Sequence, residues 1–240
     1  MRRSSFKTPD GSLEYTITRR PRVTRRLHME LDNDGGLVVV APRHWSKAHI
    51  SETLSQNSLR VERFLIRARQ RQPEPLSYIS GELHLYLGKR YPLLIQPGLG
   101  QKAKVVLSEN EFQVDPGLNR PESVRNALQT WYHKRALEVF NARLQTIAGS
   151  ADWVSGRSVP LKLRKMKRTW GNCSSSGVIK LNTHLIKAPL PILDAVIAHE
   201  LCHLKEMNHS KAFYALLEQL NPTWREDRRR LRSEGNLYLL

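Results

Sequence analysis

The residues best suited to chemistry lie in one stretch, Pro191 to Ser210, which reads PILDAVIAHELCHLKEMNHS. It carries His199, Glu200 and His203 in the order His-Glu-x-x-His, with His209 six positions beyond the second histidine. On an α-helix, positions four apart differ by only about 40° in rotation and about 6 Å along the axis. Imidazoles at 199 and 203 therefore point the same way and can share one ion. Glu200 falls on a neighbouring face, where it can handle the proton of a metal-activated water instead of binding the metal. His209 cannot join them on an unbroken helix, because six residues rotate it by about 240°. The spacing predicts a helix break between Leu204 and His209, with Asn208 as a left-handed C-cap and Ser210 as the N-cap of the next helix. Three protein ligands leave a fourth tetrahedral position open, the pattern of a catalytic zinc site.

The element that must carry these groups is itself legible. Pro191 suits a first helical turn. Leu193, Val196, Ile197, Leu201 and Leu204 form an apolar stripe, so the helix is buried on one side. Cys202 lies off the ligand face and reads as a small buried hydrophobe.

Earlier in the chain, residues 1–11 read as a polar, basic arm. Strands are predicted around Leu13–Ile17 and Leu27–Leu31, then, after a turn at 32–36, at Leu37–Ala41. A helix capped by Ser46 runs to about Gln70 with a break near Asn57. Two hairpins follow, Leu83–Ile95 and Val105–Val114. A long helix begins at Pro121 and runs to about Ala148, its apolar positions recurring at helical spacing. Val159–Arg168 reads as a strand with a cationic outer face, and Gly177–Asn182 as its partner, a possible edge for an extended peptide. After the His-Glu-x-x-His helix come a helix at 211–220 and a final basic helix, for which Thr223 and Glu226 form a capping box. The expected fold class is α+β, with a β-rich region at 1–118 and a compact zincin-like catalytic domain at 119–240.

The chain has 240 residues, enough for a sizeable core. No apolar run of about 18 residues exists, so no membrane span is expected. The N-terminus lacks the apolar core of a secretory signal. Two cysteines, Cys173 and Cys202, make no disulfide framework, and a reducing, cytoplasmic location is expected. A formal net charge of +17 suggests a polyanionic partner such as nucleic acid or nucleotide. Basic clusters at Arg19–Arg26 and Arg225–Arg232 are the candidate surfaces.

Three stretches carry a family resemblance: MKRTWGNCSSSGVIKLN, HLIKAPLPILDAVIAHELCHLKEMNHSKAFYALL and NPTW. With LYLGKRYPL in the leading half, they make the chain resemble the YgjP-like metallopeptidase domain family over nearly its whole length. The resemblance implies a zincin-type domain with Zn²⁺ on His199, His203 and His209, Glu200 as general base, and the TWGNC segment packed beside the site. Two departures stand out: the family more often has Ser where Asn172 stands, and a basic or aromatic residue near Thr183-His184. The His-Glu-x-x-His layout is also similar to that of SprT-type DNA-associated proteases. The metzincin subclass is excluded: Glu206 occupies the place of its turn glycine and no methionine follows Met207.

The expected activity is zinc-dependent hydrolysis of a peptide or protein substrate. Arg168, His184 and Tyr214 are candidates to stabilise an oxyanion, and Asn172 to contact substrate. The same metal with nearby Lys and Arg would also suit hydrolysis of nucleotide phosphoanhydrides. A third possibility is a nucleic-acid-binding module whose protease acts on bound proteins.

Overall fold

A computed structural model of the chain describes all residues except 1–2, 9–10, 21–22, 33–35, 71–74, 97–102, 118–119, 155, 157 and 167–168. The fold is α+β, and the chain divides into two compact units, Met1–Pro73 and Glu74–Leu240.

In the first unit, strands β1 (Arg3–Thr8), β2 (Gly11–Arg19), β3 (His28–Leu31) and β4 (Leu37–Ala41) form one sheet. Its order is β1-β2-β4-β3, with β2 and β4 parallel and the other pairs antiparallel. Helices α1 (Lys47–Gln56) and α2 (Ser58–Gln70) join it around a core that includes Tyr15, Leu37, Val39, Ile50, Leu54 and Val61. Ser46 caps α1 by accepting the His49 N–H at 3.1 Å. The expected loose arm is instead strand β1. Its single large apolar residue, Phe6, is buried edge-on against Tyr15 at 5.9 Å, and that contact outweighs the polar sequence around it.

The second unit begins well before the boundary expected at residue 118. Strands β5 (Leu83–Tyr86), β6 (Lys89–Ile95), β7 (Lys104–Leu107) and β8 (Phe112–Asp115) form a sheet of order β5-β6-β8-β7. Its inner face, with Tyr86, Leu93, Phe112 and Val114, shares one core with helix α3 (Pro121–Gly149). The hairpins cannot be separated from the helix without exposing that core, which is why the division falls at Pro73.

A smaller sheet of order β10-β11-β9 follows, from β9 (Leu161–Arg164), β10 (Gly171–Cys173) and β11 (Ile179–Asn182). β11 pairs in parallel with β9 and antiparallel with β10, so it is the central strand. The expectation that residues 177–182 offer a free edge is therefore overturned: both ladders of β11 are already occupied. The predicted strand through Arg168 is also shorter, ending at Arg164.

A 3₁₀ turn at Thr183–Lys187 leads into α4 (Leu190–Cys202), which is followed by α5 (Lys211–Leu220) and α6 (Trp224–Tyr238). The β5–β6 turn docks on this entrance: Leu87 and Gly88 donate to the carbonyls of Ile186 and Lys187 at 2.9 and 3.0 Å. Gly88 has φ of +82°, and a Cβ there would lie 2.7 Å from Pro189 Cγ, so both turn geometry and space demand glycine. α3 is locked to α4 by Arg143, whose guanidinium donates to both Asp194 oxygens at 2.8 and 2.6 Å.

Candidate metal centre

Helix α4 is apolar because it is nearly enclosed. Ile192, Leu193, Val196, Ile197 and Leu201 are buried, and Cys202 is a free, fully buried thiol. The helix stops at Cys202 and the chain turns through residues 203–205. Asn208 is not a left-handed cap; the only described non-glycine residues with positive φ are Tyr78 and Leu87. The reversal uses backbone bonds from Lys205 and Glu206 to the Cys202 carbonyl at 3.1 and 2.9 Å. Ser210 does cap α5, accepting the Phe213 N–H at 3.2 Å.

This break brings His209 back to the helix. The three imidazoles offer ligand atoms that all lie within 4.8 Å of one another. Their ring centroids are 4.9 to 5.0 Å apart, and Nε2 of His209 is 3.1 Å from Nε2 of His199. Nδ1 of His203 faces the Glu206 carbonyl at 3.1 Å. A proton on that nitrogen fixes the tautomer and leaves Nε2 as the ligand atom. Beneath all three rings lies Phe213, fully buried, with its centroid 4.7 to 5.0 Å from each. Its role was missed from sequence; its position one turn after His209, at the start of α5, is the signal that could have found it.

At His199 and His209 the electrostatics favour the neutral imidazole, the form that binds metal. Burial, then repulsion from His203, His209 and Arg228, lowers His199 to about 4. Burial, then His203 and Arg228, also lowers His209. Arg228, an exposed residue of α6 within the basic cluster 225–232, contributes to both shifts.

Glu200 is 5% exposed and its Oε2 has no hydrogen-bond partner. Burial raises its carboxyl to about 7, against the Cys173 backbone N–H, which is directed at the carboxylate and lowers it. Strand β10 lies directly over this carboxylate. A Cβ on Gly171 would sit 2.6 Å from Glu200 Oε1, so the strand approaches as closely as glycine allows. β10 is in turn braced by α6, where Gly235 admits the Trp170 ring; a Cβ there would be 3.0 Å from Cζ2. An orphaned carboxylate oxygen beside three convergent imidazoles fits a divalent ion and its water.

The remaining candidates separate. Tyr214 stands next to His209, ring centroids 6.3 Å apart, and stacks on Trp224 at 5.2 Å. Asn172 is exposed, and strand alternation puts it on the face of β10 opposite the one that Gly171 turns to Glu200. His184 is not brought to the histidine cluster; its neighbours are Lys187, Lys165 and the Tyr238 backbone. Arg168 lies outside the described residues.

The basic clusters are partly committed to the fold. Arg19 donates to the carbonyls of Pro42, Arg43 and Trp45, and Arg20 pairs with both Glu30 oxygens. In α6, Arg225 bonds Glu218 and Arg230 bonds Glu234. The expected capping box is replaced: the Thr223 hydroxyl meets Asp227 and Asn221, at 2.9 and 2.8 Å, and makes no cap bond. Among the described residues, no helix is long and apolar enough to cross a membrane.

Comparison with known proteins gives three similarities. The family model described as "YgjP-like, metallopeptidase domain" matches residues 25–234. A stretch of 56 residues is 38% identical to the UTP pyrophosphatase of Escherichia coli (strain K12), covering 23% of this chain and 34% of that protein. The match thus spans about a third of that relative's length. Among solved structures, the metallopeptidase zymogen abylysin of Pyrococcus abyssi is similar at 24% identity with a TM-score of 0.35, over 40% of this chain and 92% of that one.

Proposed function

The chain belongs to the YgjP-like metallopeptidase family, and from that premise we propose that it is a zinc-dependent hydrolase of peptide bonds. The observation that carries the reading is the convergence of three imidazoles, with the unpaired, buried Oε2 of Glu200 on the residue next to His199. His199, His203 and His209 would hold the ion, and three imidazoles favour zinc. A divalent ion there supplies Lewis acidity, which polarises a scissile carbonyl and eases removal of a proton from water.

The rest of the chemistry belongs to this chain's own residues. The Cys173 N–H holds the Glu200 carboxylate in place, while Oε2 is left to accept the proton of the attacking water and return it to the leaving amine. Phe213 beneath the imidazoles limits their tilt and keeps water from that side. Tyr214, whose ring lies 6.3 Å from that of His209, would be the residue to meet negative charge as it develops on substrate oxygen.

A second reading, hydrolysis of a nucleoside triphosphate phosphoanhydride, is supported by the identity with the UTP pyrophosphatase and by the Arg228 charge near the histidines. One experiment tests both. Zinc-loaded protein and its Glu200→Gln variant are incubated side by side with casein and with UTP. Cleavage of casein by the wild type and not by the variant, with metal content equal, supports the peptidase. Release of pyrophosphate from UTP with casein intact would replace it by the second reading.

A further inference from the structure

The sheet of the second unit ends in a strand whose outer edge is bare among the described residues. β7 pairs only with β8, and the register is Lys104↔Asp115, Val105↔Val114, Val106↔Gln113 and Leu107↔Phe112. At the hairpin end, the Ser108 N–H donates to the Glu111 carbonyl at 3.0 Å. Hydrogen-bonded and non-bonded pairs alternate along an antiparallel ladder. Counting from Ser108, the residues bonded to β8 are Val106 and Lys104. The N–H and C=O groups of Val105 and Leu107 therefore face away from the sheet.

Beside this edge runs a groove with a volume of about 740 Å³, lined by β7 on one side and by a flank of α3 on the other. Its floor is apolar, from Val105 and the half-buried Trp131, whose indole is fixed edge-on by Phe112 and Tyr86 at 5.0 Å each. Its charge is positive. Lys104 and Lys134 are exposed on opposite walls and supply that charge. The acidic residue lining it, Glu138, is paired with Arg135. None of these residues belongs to the metal centre.

We propose that this groove docks an extended, acidic peptide segment, which adds to β7 as an outer strand alongside α3. Free main-chain groups of alternate residues recognise another main chain, with every second side chain turned to the floor. The two lysine walls then select acidic side chains at the rim. A phosphodiester chain carries no N–H and C=O at this spacing, so the edge favours peptide over nucleic acid. The inference stands apart from the reaction at the metal centre and holds for either substrate class there.

The test uses the purified full chain and a fluorescein-labelled nine-residue peptide of alternating valine and glutamate, with a valine–lysine peptide as its counterpart. Fluorescence anisotropy should show saturable binding of the acidic peptide, and affinity for the basic one weaker by about tenfold or more. The pair of exposed changes Lys104→Glu and Lys134→Glu should weaken acidic-peptide binding by a similar factor. Val105→Pro removes one outward N–H that plays no part in the β7–β8 ladder, and should abolish binding without loss of fold. In the wild-type chain, the amides of Val105 and Leu107 should exchange hydrogen about tenfold or more slowly when peptide is bound. Equal affinity for both peptides, or binding that leaves those two amides unprotected, would overturn the proposal. So would full displacement of the peptide by a short DNA duplex matched in charge, which would make the groove a phosphate site.

Discussion

On the proposed reading, Gly171→Ala should disturb the Glu200 carboxylate and leave the three histidines in place. The backbone at Gly171 has no positive φ, so alanine meets no conformational strain. The only penalty is contact: the new methyl would lie 2.6 Å from Glu200 Oε1, 2.8 Å from Cγ and 2.9 Å from Cδ. Ordinary contact begins at 3.4 Å, so the carboxylate or the strand must retreat by roughly 0.8 Å. If Glu200 moves, its orphan oxygen leaves the place where it can reach water; a misplacement of about 1 Å lowers rate by on the order of 10²-fold. If β10 moves, the Cys173 N–H draws off the carboxylate, and a hydrogen bond to a charged group contributes about 1.5–3 kcal/mol. Either way, overpacking lowers stability by about 1–3 kcal/mol.

The three histidines sit on α4 and the turn that follows, not on β10, so on the proposed reading zinc content should be unchanged. The assay compares kcat on whichever of casein and UTP the wild type hydrolyses, zinc content by elemental analysis, and thermal unfolding. Gly149→Ala is the control. It lies at the end of α3 with nothing within 4 Å of the added methyl, and should be neutral or stabilising by about 0.4–1 kcal/mol. The reasoning fails if Gly171→Ala folds, keeps its zinc and turns over at the wild-type rate. It fails equally if activity falls only in proportion to lost zinc.

Other outcomes follow from the same geometry. Glu200→Gln should keep zinc and lose about 10²–10⁴ of kcat, since it removes the proton acceptor but not a ligand; unaltered kcat would take Glu200 out of the mechanism. A chelator should abolish hydrolysis and lower the unfolding temperature, with zinc at about 100 times its Kd restoring about 2.7 kcal/mol; calorimetry showing no shift would mean the histidines hold no ion. Phe213→Ala should destabilise the fold by about 3–5 kcal/mol and loosen metal affinity, because one ring supports all three imidazoles; denaturant unfolding and zinc titration check the two parts. Burial, then Lys187 and Lys165, lowers His184 to about 4, against the bond to the Tyr238 backbone. The unfolded chain therefore takes up this proton first as pH falls from about 6.5, and stability is lost between there and about 4. Allowing for the ring's partial exposure, His184→Asn should remove about 2 kcal/mol of that acid sensitivity, read from the wild-type-minus-variant difference between pH 7 and pH 4.

What sequence could give is clearest at His199 and His203, whose meeting follows from helix geometry, and at Ser210, whose capping role follows from its hydroxyl. The meeting of His209 with them required only that the helix break, which the 240° argument demanded. How it breaks was not legible. Asn208 looked like a left-handed cap, but the reversal is made by backbone bonds to the Cys202 carbonyl, for which no residue type is specific. Phe6 shows the same limit in the first unit. One aromatic in a polar run gives no alternation, and only its buried contact with Tyr15, on a neighbouring strand, makes that run a strand.

The sheet order was hidden for a different reason. Gly177–Asn182 looked like the outer partner of a two-stranded pair because both segments alternate. Its second neighbour, Gly171–Cys173, is only three residues long and too short to show a period. Yet that strand is what closes the site. Its glycine lets backbone approach Glu200, its cysteine lends an N–H, and the Trp170 before it is seated against α6. A helix carrying His-Glu-x-x-His can assemble a metal site almost alone. Fixing the carboxylate takes a strand, and the strand is braced by a helix about sixty residues further on. The three histidines are therefore local in sequence while Glu200 is long-range in its support, which is why the first could be read from spacing and the second could not.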